Sequence, residues 1–136
     1  MYTKAKALHS AKVANVMYQK AIKDTGDDEF ASAMFHLGLV HDIGYQLTCD
    51  ANEHSEVGAE FLRKENYPYW REVKEHHNPD TDYASDALYL LMWANMRVSN
   101  TGCLVSVDEH LNDIGHYFGF DSETYLTANK IADIVR

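Results

Sequence analysis

The stretch LGLVHDIGY, Leu37 to Tyr45, sets a histidine beside an aspartate at the end of an aliphatic run. Imidazole and carboxylate are costly to bury alone, because each loses its hydration. Together they are the usual ligand set for a divalent transition metal. Four more segments offer a group of the same kind on the face that hydrophobic periodicity turns inward. His9 lies four residues before Val13, on the line of Val13, Val16, Met17 and Ala21. His41 follows Leu37 by four, on the line of Phe30, Met34 and Leu37. His54 stands on the line of Val57, Phe61 and Leu62, and Trp70 and Val73 lead by threes to His76, with His77 beside it. Asn95 interrupts the stripe of Leu88, Leu91, Met92 and Val98.

One histidine on an apolar stripe is most often a hydrogen-bonded core residue. Five inward polar positions on five helices are a different case. Burying several imidazoles and a carboxylate without partners costs several kcal/mol, and a shared cation offsets that cost in one step. The donor set suits Mn, Fe, Ni or Zn better than Ca. The expected cofactor is one or two divalent ions: Mn, Fe, Ni, Zn or Mg. His36, His110 and His116 fall off their stripes and are expected at the surface or an edge.

The elements that must position these groups are helical almost throughout. A first helix is expected over 3–23, closed by Thr25 to Asp28, and a second from Asp27 or Asp28 to about His41. Residues 43–52 read as a loop. A third helix fits 53–65, and Pro68 opens a fourth ending near His77. After the NPDTD break a fifth covers 84–99. Ser106 and Glu109 have capping-box spacing for a sixth reaching Gly119, and Asp121 or Ser122 caps the last. The expected fold is all-α, a bundle of six to seven helices in one domain over 1–136, with a core over about 5–100 and added C-terminal helices over about 106–135.

The totals narrow the function. The chain has 136 residues, 46% hydrophobic, with two prolines and seven glycines, which excludes disorder. Its formal net charge of -9 gives no general attraction for nucleic acid or anionic membrane. Two cysteines, Cys49 and Cys103, and no signal peptide at MYTKAKALHS suggest a reducing cytosol. A small bundle with this many aromatics also suits a homodimer.

Taken together, LHSAKVANVMYQKA, LGLVHDIGY, HSEVGAEFL, EVKEHH and ANMRVS resemble, in that order, the HD superfamily of metal-dependent phosphohydrolases. HDIG alone is a short motif. With an upstream histidine on a long helix, a downstream His-x-x-x-Gly-Ala and a later His-His, it is specific. The resemblance implies that His9, His41 and Asp42 bind a first metal. Asp42 would bridge to a second, completed by His54 and His76, with His77 as a further ligand. Two positions depart from the family. Asn95 stands where an Ala-Asp segment normally supplies the last, charged ligand, so the ion would be held more weakly or only one ion would bind. Tyr45 stands where many relatives carry a lysine.

The implied reaction is metal-assisted hydrolysis of a phosphate ester or anhydride, the substrate a nucleotide or similar phosphorylated small molecule. Asp42 would orient the attacking water, and His54, His76 or His77 could serve as general acid if not a ligand. Lys74, Arg97 and Tyr45 are the candidate phosphate contacts, against the plainer reading of a solvated helix face for both cations. YPYW, Tyr67 to Trp70, more often builds core than stacks on a base, and Glu53 and Glu56 read most simply as exposed helix-start residues. The alternative to an enzyme is a weakened metal- or nucleotide-binding regulatory module, motivated by Asn95.

Overall fold

The computed structural model describes residues 2–136. Each helix starts and stops where local chemistry dictates. Helix α1 (Lys4–Thr25) begins at Thr3, whose hydroxyl accepts from the Lys6 amide, and ends at Gly26 in the left-handed region (φ 67°). Asp27 caps α2 (Asp28–Val40) by accepting from the Phe30 amide. A short 3-10 helix (Ile43–Gln46) follows, then α3 (His54–Lys64) and α4 (Trp70–Glu75). Ser85 caps α5 (Asp86–Asn95), and Ser106 with Glu109 forms a full capping box on α6 (Val107–Phe118). Ser122 caps α7 (Glu123–Val135).

Helix α5, DALYLLMWAN, is apolar nearly all round, which marks a helix packed on both sides. Ala87, Leu90, Leu91 and Ala94 join Val13, Met17, Met34, Leu37 and Val73 in the main core. Leu88, Met92 and Met96 join Leu111, Ile131, Ala132 and Val135 in a second one. The C-terminal helices therefore lie against the far side of α5 from the histidine-bearing helices. Buried Glu72 on α4 accepts from Tyr83 Oη and Ser85 Oγ, each at 2.7 Å, which ties α4 to the start of α5. The aromatics of YPYW pack on the main core, as the plainer reading holds.

Four expectations need correction. Residues 43–46 are a 3-10 helix, not open loop. Helix α5 stops at Asn95 instead of running to 99: its last turn tightens, with the Arg97 amide donating to Ala94 O, and the chain then extends into an isolated bridge, Val98 to Leu104. On α3 the buried line is His54, Gly58, Ala59 and Leu62, whereas Val57 is half-buried and Phe61 exposed. On α6 the buried line is Val107, His110, Leu111 and Gly115, so His110 is interior and Phe118 is exposed. Both phase errors pass over a glycine, which counts as nothing in a hydrophobicity pattern yet lies on the buried line: Gly58 against the Gly44 backbone, Gly115 under the Phe120 ring.

Gly44 shows this most clearly. A Cβ there would run into the carbonyl of His54, and one on Gly58 would meet the Gly44 amide nitrogen at 2.9 Å. The 3-10 helix and α3 thus press backbone to backbone, which delivers His54 to the end of α2. Among the described residues no helix is long and apolar enough to cross a membrane.

Candidate metal centre

His41 is the C-terminal cap residue of α2, and Asp42 follows it into the 3-10 helix. His41 keeps helical backbone angles (φ -59°, ψ -29°) and so continues the α2 register from Leu37, whereas Asp42 (φ -106°, ψ 19°) leaves it. His9 enters from α1, His54 from the first turn of α3, and His76 and His77 from the end of α4. Asp42 sits among them. Its Oδ2 lies 3.2 Å from His41 Nε2 and 3.8 Å from His9 Nε2, while its Oδ1 lies 3.5 Å from His54 Nε2 and 3.6 Å from His76 Nε2. Two sets of possible ligand atoms lie within 4.8 Å of one another: His9, His41 and Asp42, and Asp42, His54, His76 and His77. Asp42 is common to both.

The tautomers follow from the second ring nitrogens. Nδ1 of His41 faces Gly38 O at 2.6 Å, that of His54 faces Ala51 O at 2.6 Å, that of His76 faces Val73 O at 2.6 Å and that of His9 faces Ser99 O at 2.9 Å. A carbonyl only accepts, so each Nδ1 carries the proton and donates. In the neutral rings the Nε2 lone pairs then converge on a carboxylate, an arrangement that is repulsive without a cation between them. His41 Nε2 and His76 Nε2 are buried with no hydrogen-bond partner. Asn95 Oδ1 stands 2.8 Å from His9 Nε2. Ligand atoms about 2.1 Å from one ion stand about 3.0–3.4 Å apart at octahedral or tetrahedral angles. The spacings around Asp42 and Asn95 bracket that range, so the donor set fits a divalent ion.

Electrostatics prepare the same state. Burial pushes His9 and His76 below the usual imidazole range, and burial with the His76 charge beside it pushes His77 well below. His77 keeps an exposed edge, yet its ring packs 4.0 Å from that of His76. For Asp42 burial is outweighed by the His41 charge and the other imidazoles around it, so it stays ionised well below the usual carboxylate range. For His41 burial is outweighed by the Asp42 carboxylate, and it is raised.

These directions predict how the metal-free protein responds to acid. Below 6.5 the unfolded chain takes up protons at His9, His76, His77 and His110, all lowered in the fold, so stability falls as pH falls through that window. His41, raised, contributes in the opposite sense, and its contribution is lost as pH rises through its folded value. Asp42 contributes stability above 3.8, outside this window. With four groups against one, the urea midpoint of metal-free protein should drop between about pH 7 and about pH 5.5. A flat or rising midpoint would contradict this balance.

The candidate phosphate contacts fare differently. The Arg97 guanidinium stacks on Trp93 at 4.0 Å and donates to Trp93 O and Val135 O, which commits it to the junction of α5 and α7. Lys74 is exposed on α4, and among the described residues it forms no ion pair. Tyr45 does reach the cluster, stacked on His54 with ring centres 4.1 Å apart and planes 14° apart. Burial, then the Asp42 charge, push its hydroxyl up to about 12, so it stays neutral. Glu53 and Glu56 are exposed, as are His36 and His116.

Two participants escaped sequence reading. Ser99 supplies the acceptor for His9 only because α5 ends early, and no sequence signal marks that. His110 is buried against the Val98 backbone near His9, and its place one residue before Leu111 was the available clue.

Set beside known families, residues 7–107 match the HD domain. The chain belongs to the HD domain family. No curated protein and no solved structure matches it significantly. HD domains bind divalent metals and belong to a superfamily of metal-dependent phosphohydrolases. The match covers every helix that contributes to the cluster and stops at the first residue of α6.

Proposed function

We propose that this HD domain hydrolyses a phosphate ester or anhydride of a nucleotide or similar phosphorylated small molecule. One or two divalent ions would be held by His9, His41, Asp42, His54, His76, His77 and Asn95. The observation that carries this reading is the set of four imidazoles whose Nδ1 protons are all committed to backbone carbonyls, leaving every Nε2 turned toward Asp42. Such carbonyl partners fix the tautomer and ring angle that metal ligation requires. A bound divalent ion supplies Lewis acidity, polarising phosphoryl oxygens and lowering the pKa of water it binds.

The chain's own residues do the rest. Asp42 splits its two oxygens between the two histidine sets, which suits a bridging carboxylate. The neutral state of His76 and His77 favours ligation over proton donation. A groove of ≈ 460 Å³ shares Tyr45 with the cluster, a size that suits a small-molecule ligand.

Asn95 favours a second reading, a module that binds metal or nucleotide without turnover. Its neutral oxygen faces His9 where a carboxylate would neutralise more of the ion's charge.

The test is elemental analysis of untagged protein, followed by hydrolysis assays across phosphomonoesters, phosphodiesters and nucleotides. The expected result is at least one bound transition metal per chain and turnover of some phosphoester. Metal-loaded protein with no turnover favours the binding module. Protein that takes up no metal overturns both.

A further inference from the structure

One ammonium adjoins the cluster and has no role among the proposed ligands. Lys6 lies three residues before His9 on α1, so helical spacing sets both on one face. Its Nζ stands 3.7 Å from the centre of the Tyr45 ring, the same ring that stacks on His54 at 4.1 Å. The two groups cannot share one face of the ring, so Tyr45 lies between them and the ammonium stands within about 8 Å of the His54 ring centre, about one Debye length at physiological salt. Lys6 is half-buried, and among the described residues it forms no ion pair with a carboxylate. Arg97 is committed elsewhere, and Lys74 is exposed, whereas Lys6 is held against Tyr45.

A chain of net charge -9 repels a phosphate dianion at long range, so capture depends on local positive charge: the proposed metal ions and any free ammonium near them. We propose that Lys6 binds the phosphoryl group of a small phosphorylated substrate beside the His/Asp cluster, a role that rests on the phosphohydrolase reading above. The Tyr45 face holds the ammonium in place through a cation–π contact without neutralising its charge. Tyr45 also lines the groove formed with Tyr2, Gln46, Leu47, Thr48 and Cys49. Tyr45 is thus shared by the groove, the Lys6 ammonium and His54.

The test compares metal-loaded wild type with Lys6→Met, Lys6→Gln, Lys6→Arg and Lys23→Met. Inorganic phosphate is titrated by calorimetry, and KM is measured for a phosphomonoester that the wild type turns over. Both neutral Lys6 variants should keep wild-type metal content, lose about tenfold in phosphate affinity and show a raised KM with a smaller change in kcat. Lys6→Arg should stay within about threefold, and the gap should narrow at high salt. Lys23→Met changes the net charge equally on an exposed part of α1 and should leave phosphate affinity unchanged. Neutral Lys6 variants that bind phosphate like wild type, or a Lys23→Met variant equally weakened, overturn the assignment while leaving the phosphohydrolase reading intact. Metal-loaded wild type that neither binds phosphate nor turns over any ester sinks both.

Discussion

Replacing Asp42 by asparagine should abolish stoichiometric metal binding while the helices stay folded. Asp42 is the one side chain shared by both ligand sets, with one oxygen toward His9 and His41 and the other toward His54 and His76. An amide offers a single oxygen, so its NH₂ must face one pair of Nε2 atoms and give up that half of the site. Loss of an outer hydrogen-bond partner alone costs 10–100-fold in metal affinity, so loss of a bridging carboxylate should cost more than about 100-fold. The fold should tolerate the change, because asparagine keeps the size and shape of the buried Asp42 side chain and leaves the apolar core as it is. In wild type, metal at about 100 times its Kd raises stability by about 2.7 kcal/mol, read as an upward shift in Tm. That shift should vanish in Asp42→Asn, together with any hydrolysis. An unchanged shift and unchanged metal content would mean that the ion sits elsewhere.

Asn95→Asp is the second large effect. The Asn95 oxygen stands 2.8 Å from His9 Nε2 and carries no formal charge. A carboxylate there adds a negative ligand to the set of His9, His41 and Asp42, and should raise metal affinity by about tenfold or more, each tenfold being about 1.4 kcal/mol. The metal-free protein should lose stability, since two carboxylates would then share one buried pocket, unless His9 takes up a proton to compensate. Hydrolysis should change little if the native site works with asparagine. Activity appearing only in Asn95→Asp would instead establish that the native chain is a binding module. Competition with a chromogenic chelator gives the affinity, and an ester assay on the same samples gives the activity.

Much of the molecule was legible in the sequence because its signals are local. Asp27, Ser106 and Ser122 cap helices as the sequence suggests, each side chain accepting from the amide three residues on. Thr3 and Ser85 do the same, although the sequence places them inside their helices. Inward placement of His9, His41, His54 and His76 follows from helical period alone, and all four are buried. Even the misphased stripe on α3 kept His54 in place, because His54 lies on the true line through Gly58 and Leu62 as well. His110 was lost for the complementary reason: its stripe was drawn through Ile114 and Phe118, and the glycine that sets the true phase has no hydrophobicity to read.

The sequence by itself determined the helices, the family and the identity of the groups that gather. Each depends on residues close along the chain or on motifs with fixed spacing. Only the tertiary structure decided which nitrogen of each imidazole is free, because that depends on a carbonyl presented by the fold, for His9 one 90 residues away. It likewise removed Arg97 from the site and brought Lys6 beside it, since a long flexible cation goes where packing and charge leave room, and sequence distance to a ligand says nothing of that.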